Sequence, residues 1–415
     1  MRTLRIAALL AYRQLQNSSR WTSLLIICVM TLTFLNLVAV SGILVGLIAG
    51  AERSFQDQLF GDLTISARTD EDRILQTQLF INTLNASPYV LTHSVRYDAP
   101  GRAEANYRER RDLLADRDIV SARVTGIDWE TEDSITNLSQ YVVEGSYPEP
   151  GSEGQILIGR LLIDRYADQF PDISDSLTDV FPGDRIRLTI GNATQEFTVA
   201  GILDSKVGDL SVNMFISERE LRRMADRFDR NADRIAIRTH TPEQAYTLQA
   251  SLLSLNLDQY ARIRTFEEAL PTFLIDIKDT FAVLGTFIGG VGVVVASITI
   301  FIIIFINALS RRRQIGILKG IGIDQRVIEI AYVLQASVYV LIGSLLGILV
   351  TYGFLVGYFD RNPLDFPFSD GILVAEPIGT FYRFAIMFVI TLIAGFVPAW
   401  LIAKQNTLNA ILGRH

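Results

Sequence analysis

The chain has little of what most catalytic chemistry needs. Among 415 residues there are one cysteine and three histidines. Cys28 has no partner for an intramolecular disulfide, so nothing in the chain relies on an oxidising compartment. It sits in an apolar run, where a small buried hydrophobe is expected. His93 and His240 have no second histidine or cysteine at ligand spacing, so no metal centre is expected. The chain contains no Gly-x-Ser-x-Gly elbow and no Gly-x-x-x-x-Gly-Lys-Ser/Thr loop. It therefore offers neither a hydrolase nucleophile of that type nor a phosphate cradle for ATP. Charged residues make up only 20%, with a net charge of -7, which argues against nucleic acid as a partner.

What is present is apolar and unevenly distributed. Mean hydropathy is +0.28. Charges are concentrated between Arg53 and Asp279, while four stretches hold almost none: Thr22 to Gly50, Phe281 to Leu309, Val327 to Tyr358 and Phe381 to Ala403. Each is long enough to cross a bilayer, which takes roughly 20 apolar residues. The first ends at Ala49-Gly50-Ala51, which resembles a small-residue cleavage site. Its apolar run is far longer than a signal h-region of about 7–15 residues, so a permanent helix is expected. Basic residues set the orientation. Arg2, Arg5, Arg13 and Arg20 precede the first stretch, Arg311, Arg312, Arg313, Lys319 and Arg326 lie between the second and third, and Lys404 and Arg414 follow the fourth. The loop at 359–380 carries Asp360, Asp365, Asp370 and Glu376 against Arg361.

These features predict a four-span α-helical membrane protein with an extracytoplasmic α+β domain between spans 1 and 2. Residues 1–21 form a cytoplasmic amphipathic helix, 22–50 span 1, 51–280 the outer domain, 281–309 span 2, 310–326 a cytoplasmic loop, 327–358 span 3, 359–380 a short outer loop, 381–403 span 4 and 404–415 a cytoplasmic tail. At about 100° per residue, Arg2, Arg5, Arg13, Gln16 and Arg20 share a sector roughly 80° wide, as for a helix lying on the inner membrane surface.

Glycines at four-residue spacing, Gly42 with Gly46, Gly285 with Gly289 and Gly343 with Gly347, predict close helix packing, within one chain or between two copies. No ionisable residue lies in the middle of a span, which disfavours an ion pathway.

The outer domain alternates strand and helix signals. Strands are expected at Leu63 to Ala67, Ser121 to Ile127, Arg234 to Arg238 and Arg262 to Thr265, and a hairpin at Ile186 to Ile190 and Glu196 to Ile202 turned by Gly191-Asn192. Helices are expected at Asp72 to Leu84, Glu218 to Phe228 and Pro242 to Leu253, the last capped by Thr241. Two lobes are expected, with residues 125–213 a strand-rich insertion, and no catalytic constellation is visible.

The run Gly285-Thr-Phe-Ile-Gly-Gly-Val-Gly, then Arg311-Arg-Arg-Gln-Ile-Gly-Ile-Leu-Lys-Gly-Ile-Gly, resembles the FtsX/MacB/LolCE superfamily of ABC permeases. Phe60-Gly-Asp-Leu-Thr-Ile, Pro182-Gly-Asp, Leu341-Ile-Gly-Ser-Leu-Leu-Gly and the ending from Pro398 are similar to that family in the same order. Gln314 stands where the family usually has Glu, and Gly320 where it has Ala.

The resemblance implies a non-enzymatic permease subunit in the cell membrane, working by mechanotransmission. It would pair with a second permease copy and an ABC ATPase dimer. ATP and magnesium would be held by the ATPase and no cofactor by this chain, and an extracytoplasmic adaptor could join. The cargo implied is amphiphilic: a lipoprotein, lipid, peptide or hydrophobic drug. The alternative is an FtsX-like regulator of an extracytoplasmic enzyme.

Arg311, Arg312, Arg313, Gln314, Ile315, Gly316, Leu318, Lys319, Gly320 and Gly322 would form the ATPase-coupling element. A short helix there should end at Gly322, with Asp324 capping the next, and Ile315, Leu318 and Ile321 should project toward the partner. Gly42, Gly46, Gly285 and Gly289 would serve helix packing or dimerisation.

The arginine asymmetry makes the topology testable. Cysteines placed at Ser152 and Ser369 should react with an impermeant thiol reagent from outside, and one at Ser310 should not. Labelling of Ser310 alone would reverse the orientation.

Overall fold

The computed structural model describes residues 2–16, 20–108, 117–167, 176–310, 312–362, 364–366, 369–371 and 373–404. The chain divides into two compact units, one of Met1–Ala49, Phe273–Phe366 and Asp370–His415, the other of Gly50–Thr272 with Pro367–Ser369.

Among the described residues of the chain, four helices are long and apolar enough to cross a membrane. The first runs Arg20–Phe55 and continues through a π turn at Gln56–Phe60. The second is Thr272–Ser310. The third, Gln325–Val350, passes through a π turn at Thr351–Leu355 into Val356–Arg361. The fourth is Pro377–Ala403 and contains Pro398. The first and second extend well past the predicted spans, on to Phe60 and back to Thr272. At about 1.5 Å per residue, the 39-residue second helix is about 58 Å long, nearly twice a hydrocarbon core. The N-terminal helix is separate, Arg2–Gln16, and Arg20 already belongs to the next helix. The arginine stripe predicted from Arg2 to Arg20 is therefore divided between two helices. Ala7 and Ala11 of the N-terminal helix pack on Val327 and Ala331 of the third apolar helix. Ile6, Leu9 and Tyr12 stay exposed.

Small residues determine how the apolar helices meet. A Cβ on Gly343 would fall 2.4 Å from Met30 Cβ, and one on Gly347 would fall 2.5 Å from Phe34 Cδ1. Met30 and Phe34 of the first helix thus fill the two notches that the glycines leave on the third, as close packing in lipid requires.

The second unit is built on a ten-stranded mixed sheet. Its strands are β1 (Leu63–Ser66), β2 (Val90–Glu104), β3 (Ile119–Ile127), β4 (Val142–Gly145), β5 (Gln155–Gly159), β6 (Arg185–Ile190), β7 (Ala193–Leu203), β8 (Asn213–Ser217), β9 (Arg234–Thr239) and β10 (Arg262–Thr265). Their order is β10-β1-β9-β2-β3-β8-β5-β7-β4, with β6 bridging β2 and β7.

One apolar core gathers Leu63 and Ile65 of β1 and Ile235 and Ile237 of β9 under helices Thr77–Ala86 and Gln244–Ser254. The other draws on residues from Tyr97 to Ala232. The strand-rich lobe therefore starts well before Thr125, because β2 serves both lobes. Val90 to Arg96 pairs with β9, and Tyr97 to Glu104 pairs with β3. Pro100 lies where only β3 accompanies the strand, between the end of β9 pairing and the start of β6 pairing at Gly101.

Three helices have boundaries that differ from expectation, one of them expected to reach Phe228 and ending at Met224. The helix expected from Asp72 begins at Thr77, because the Ile74 N–H bonds the Ala232 carbonyl at 2.8 Å and Gln76 is left-handed, with φ 57°. The helix at Gln244 has Glu243 at its N-cap position with no side-chain cap. Thr241 offers its backbone carbonyl to Gln244 at 3.0 Å.

Candidate coupling site

Arg311 lies outside the described residues; the helix beyond it is Arg312–Gly320. It ends in a Schellman turn: Gly322 has φ +91°, its N–H bonds the Lys319 carbonyl at 3.0 Å, and the Ile323 N–H bonds the Leu318 carbonyl at 3.0 Å. Only a residue without Cβ takes that φ at little cost, so glycine at 322 fixes where the helix stops. Asp324 then opens the third apolar helix, its side chain accepting from the Arg326 N–H at 3.2 Å.

The helix turns a different face outward from the one expected. Ile315 is 4% exposed and packs in one apolar core with Ile304 and Ala308 of the second apolar helix and Ile328 and Tyr332 of the third. It does not project toward a partner. Gly316 is buried, and Leu318 and Lys319 are half-buried. The exposed stripe is Gln314, Ile317 and Ile321, with the two isoleucines 49% and 71% exposed and Gly320 and Gly322 also exposed. At about 100° per residue these three side chains fall within roughly 60°. The sequence could have shown this, because Ile317 and Ile321 are four residues apart. Which apolar stripe turns inward depends on the surrounding helices.

The packing glycines have neighbours within the chain. A Cβ on Gly42 would sit 2.8 Å from Leu373 Cδ1 and from the Val374 carbonyl oxygen. Gly285 faces Leu44 and Ser41, Gly289 meets Leu37 Cδ1 at 3.1 Å, and Gly46 is buried.

A second set of residues, not visible in the sequence, lies in the second unit, which holds the sheet. The π turn Gln56–Phe60, which prolongs the first apolar helix, is tied to the sheet by buried polar groups. Arg96 of β2 is 4% exposed, and Glu132 of helix Trp129–Thr136 is 2% exposed. They form a bidentate pair, Nε to Oε2 at 2.9 Å and Nη2 to Oε1 at 2.7 Å, while Arg96 Nη1 donates to the Leu59 carbonyl. Ser94 Oγ adds a bond to Glu132 at 2.8 Å. Gln56 Nε2 donates to Asp62 Oδ1 at 2.9 Å, and Asp62 also accepts from the Thr239 N–H at 2.9 Å and from Arg238 at 3.2 Å. Ser205 Oγ donates to Gln58. At Gly61, φ +70°, a Cβ would fall 2.5 Å from the Ile237 carbonyl oxygen, so only glycine lets the turn approach β9.

Deeper in the sheet, burial would raise the Asp98 carboxyl. Arg234, at 2.8 Å to both its oxygens, holds it below the ordinary aspartate value.

The family model described as MacB-like periplasmic core domain matches residues 23–255, and the model described as FtsX-like permease C-terminal matches residues 286–407. A protein of Pseudomonas fluorescens described as a probable export ATP-binding/permease protein is 24% identical over 187 residues, covering 44% of this chain and 28% of that protein. One of Pseudomonas entomophila, described as probable export ATP-binding/permease protein MacB, is 25% identical over 187 residues, with 44% and 27% covered. The alignment thus takes in little more than a quarter of the length of these curated relatives.

Two solved structures cover 49% of the chain, each at 14% identity and a TM-score of 0.33. The periplasmic region of MacB from Actinobacillus actinomycetemcomitans is covered to 88%, and the extracellular domain of the noncanonic ABC-type transporter YknZ from Gram-positive bacteria to 98%.

Arg96→Met should strand Glu132 as an unpaired buried charge. The cost of roughly 3–5 kcal/mol lowers the melting temperature of the outer unit by on the order of 10 °C in the full chain, followed through buried Trp129. Arg96→Met with Glu132→Leu should recover at least half of that loss. Equal melting temperatures for wild type and Arg96→Met would refute the clamp.

Proposed function

Because the chain belongs to the family with the MacB-like periplasmic core domain and the FtsX-like permease C-terminal region, we propose that it is the membrane subunit of an ABC exporter. It works in the cell membrane with a second permease copy and with ATP-binding domains carried outside these 415 residues. The names of the two Pseudomonas relatives, which join ATP-binding and permease, support that pairing.

The observation that carries the reading is the exposed Ile317–Ile321 stripe on a helix held between a Schellman turn and the core packing of Ile315. A plain cytoplasmic loop has no use for two exposed isoleucines four residues apart, whereas an apolar groove on an ATPase does. Closure of the ATP-binding domains would displace this helix. Ile315 would pass the displacement to Ile304 and Ala308 of the second apolar helix and to Tyr332 of the third. At the far end, the first apolar helix would deliver its movement through the π turn, because Arg96 and Glu132 leave that turn no slack. Amphiphilic cargo would then be handled by the outer unit, without passing through the uncharged middle of the helices.

Ile317→Asp with Ile321→Asp should leave folding and membrane insertion intact and abolish co-purification with the ATPase, because an unpaired charge in an apolar groove is costly. Ile315→Asp should instead destabilise the permease itself. Normal ATPase association and stimulation by the Ile317/Ile321 variant would remove the coupling assignment.

A further inference from the structure

We propose that the outer unit carries a binding site for a phosphate-type oxyanion, formed by Arg262 and Arg264 of β10 with Arg68 beside them. Alternate residues of a strand point to one face, so the two arginines stand together, about 7 Å apart, opposite Ile263, which is 6% exposed in the apolar core. β10 is an edge strand, paired among the described residues to β1 alone. Arg68, Arg262 and Arg264 line one cavity of about 460 Å³ with Asp258, Leu253 and Ala261.

Neither Arg262 nor Arg264 makes a side-chain hydrogen bond or ion pair among the described residues, and the Arg264 Nε is closed off from solvent with no acceptor. Elsewhere in the same unit Arg96, Arg227, Arg234 and Arg238 each hold a carboxylate, on Glu132, Asp233, Asp98 and Asp62 respectively. Two of the nearby acids, Asp70 and Glu268, are otherwise engaged. Asp70 pairs with Arg68 at 3.3 Å. Glu268 accepts from the Thr265 N–H at 3.2 Å and from Gln249 Nε2 at 2.7 Å, closing the N-terminus of the short helix that follows. Burial first, and then the charge of Arg262, pull the Arg264 pKa down.

The two neighbouring guanidinium groups repel one another, and the Arg264 Nε is withdrawn from water without an acceptor, so the empty site carries two costs. A tetrahedral oxyanion relieves both costs, because each guanidinium can present two parallel N–H donors to it. The cavity exceeds what an inorganic phosphate fills, and Leu253 and Ala261 give it an apolar side. A phosphate carrying a small organic substituent fits, whether free in solution or as a lipid headgroup.

The test uses the full chain in nanodiscs of phosphatidylcholine alone, at constant ionic strength. Inorganic phosphate and short-chain dihexanoyl phosphatidylglycerol are titrated separately and followed by calorimetry. Saturable binding of at least one probe is expected, weakened at least tenfold in Arg262→Gln/Arg264→Gln and unchanged in Arg219→Gln, an exposed arginine elsewhere in the unit. Binding of phosphate without the diester assigns the site to free phosphates or monoesters, and binding of the diester assigns it to headgroups. Removing two unpaired cations should leave the melting temperature of the unligated double variant at or above that of wild type, so lost binding does not report misfolding. A lower melting temperature would show that the cations already have partners and would overturn the site. Failure of both probes to bind, or binding that survives the double substitution, would overturn it equally.

Discussion

The base of the outer unit depends on one buried contact, the ion pair of Arg96 with Glu132. Both side chains are almost fully withdrawn from water. Alone, each would be a buried charge without a partner, so each fixes the other, and through Leu59 they fix the π turn that ends the first apolar helix. A helix leaving lipid has unsatisfied carbonyls at its end and would fray if they met only water. Here an arginine from the sheet takes one of those carbonyls, and Asp62 and Ser205 bond the Gln56 and Gln58 side chains of the turn. The helix terminus becomes part of the sheet's hydrogen-bonded framework.

At the other end of the chain the same logic is carried by apolar packing. The short helix after residue 311 is stopped by Gly322 and seated by Ile315, so it cannot slide independently of the second and third apolar helices. On the proposed reading, a rigid seat inside and an apolar stripe outside are what the coupling element needs, and together they give this nine-residue helix two faces.

Much of this was legible in the sequence. Long apolar runs give the four helices, Gly322 and Asp324 give the break between two of them, and the Gly191-Asn192 turn gives the β6–β7 hairpin. What escaped was set by contacts distant in the chain. β2 contains Asp98, Pro100 and Gly101, which read locally as a turn, yet pairing on both sides holds fifteen residues extended. The inward turn of Ile315 follows from helices that leave space for it, not from its own periodicity. Arg96 and Glu132 are 36 residues apart in a segment rich in both signs, where such charges ordinarily face solvent. Nothing local distinguishes Arg96 and Arg227, which are buried, from the arginines that are not.

The central claim is that nucleotide at the cytoplasmic partner moves the outer units. Spectroscopic labels at Arg219, exposed on the outer unit, report the separation between two permease copies in the assembled complex. With a hydrolysis-deficient ATP-binding partner, the account predicts that adding ATP shifts this distance distribution, since a ligand moves such an equilibrium only through its different affinities for the two states. The same distribution with and without ATP, in a complex shown to be assembled, would contradict it.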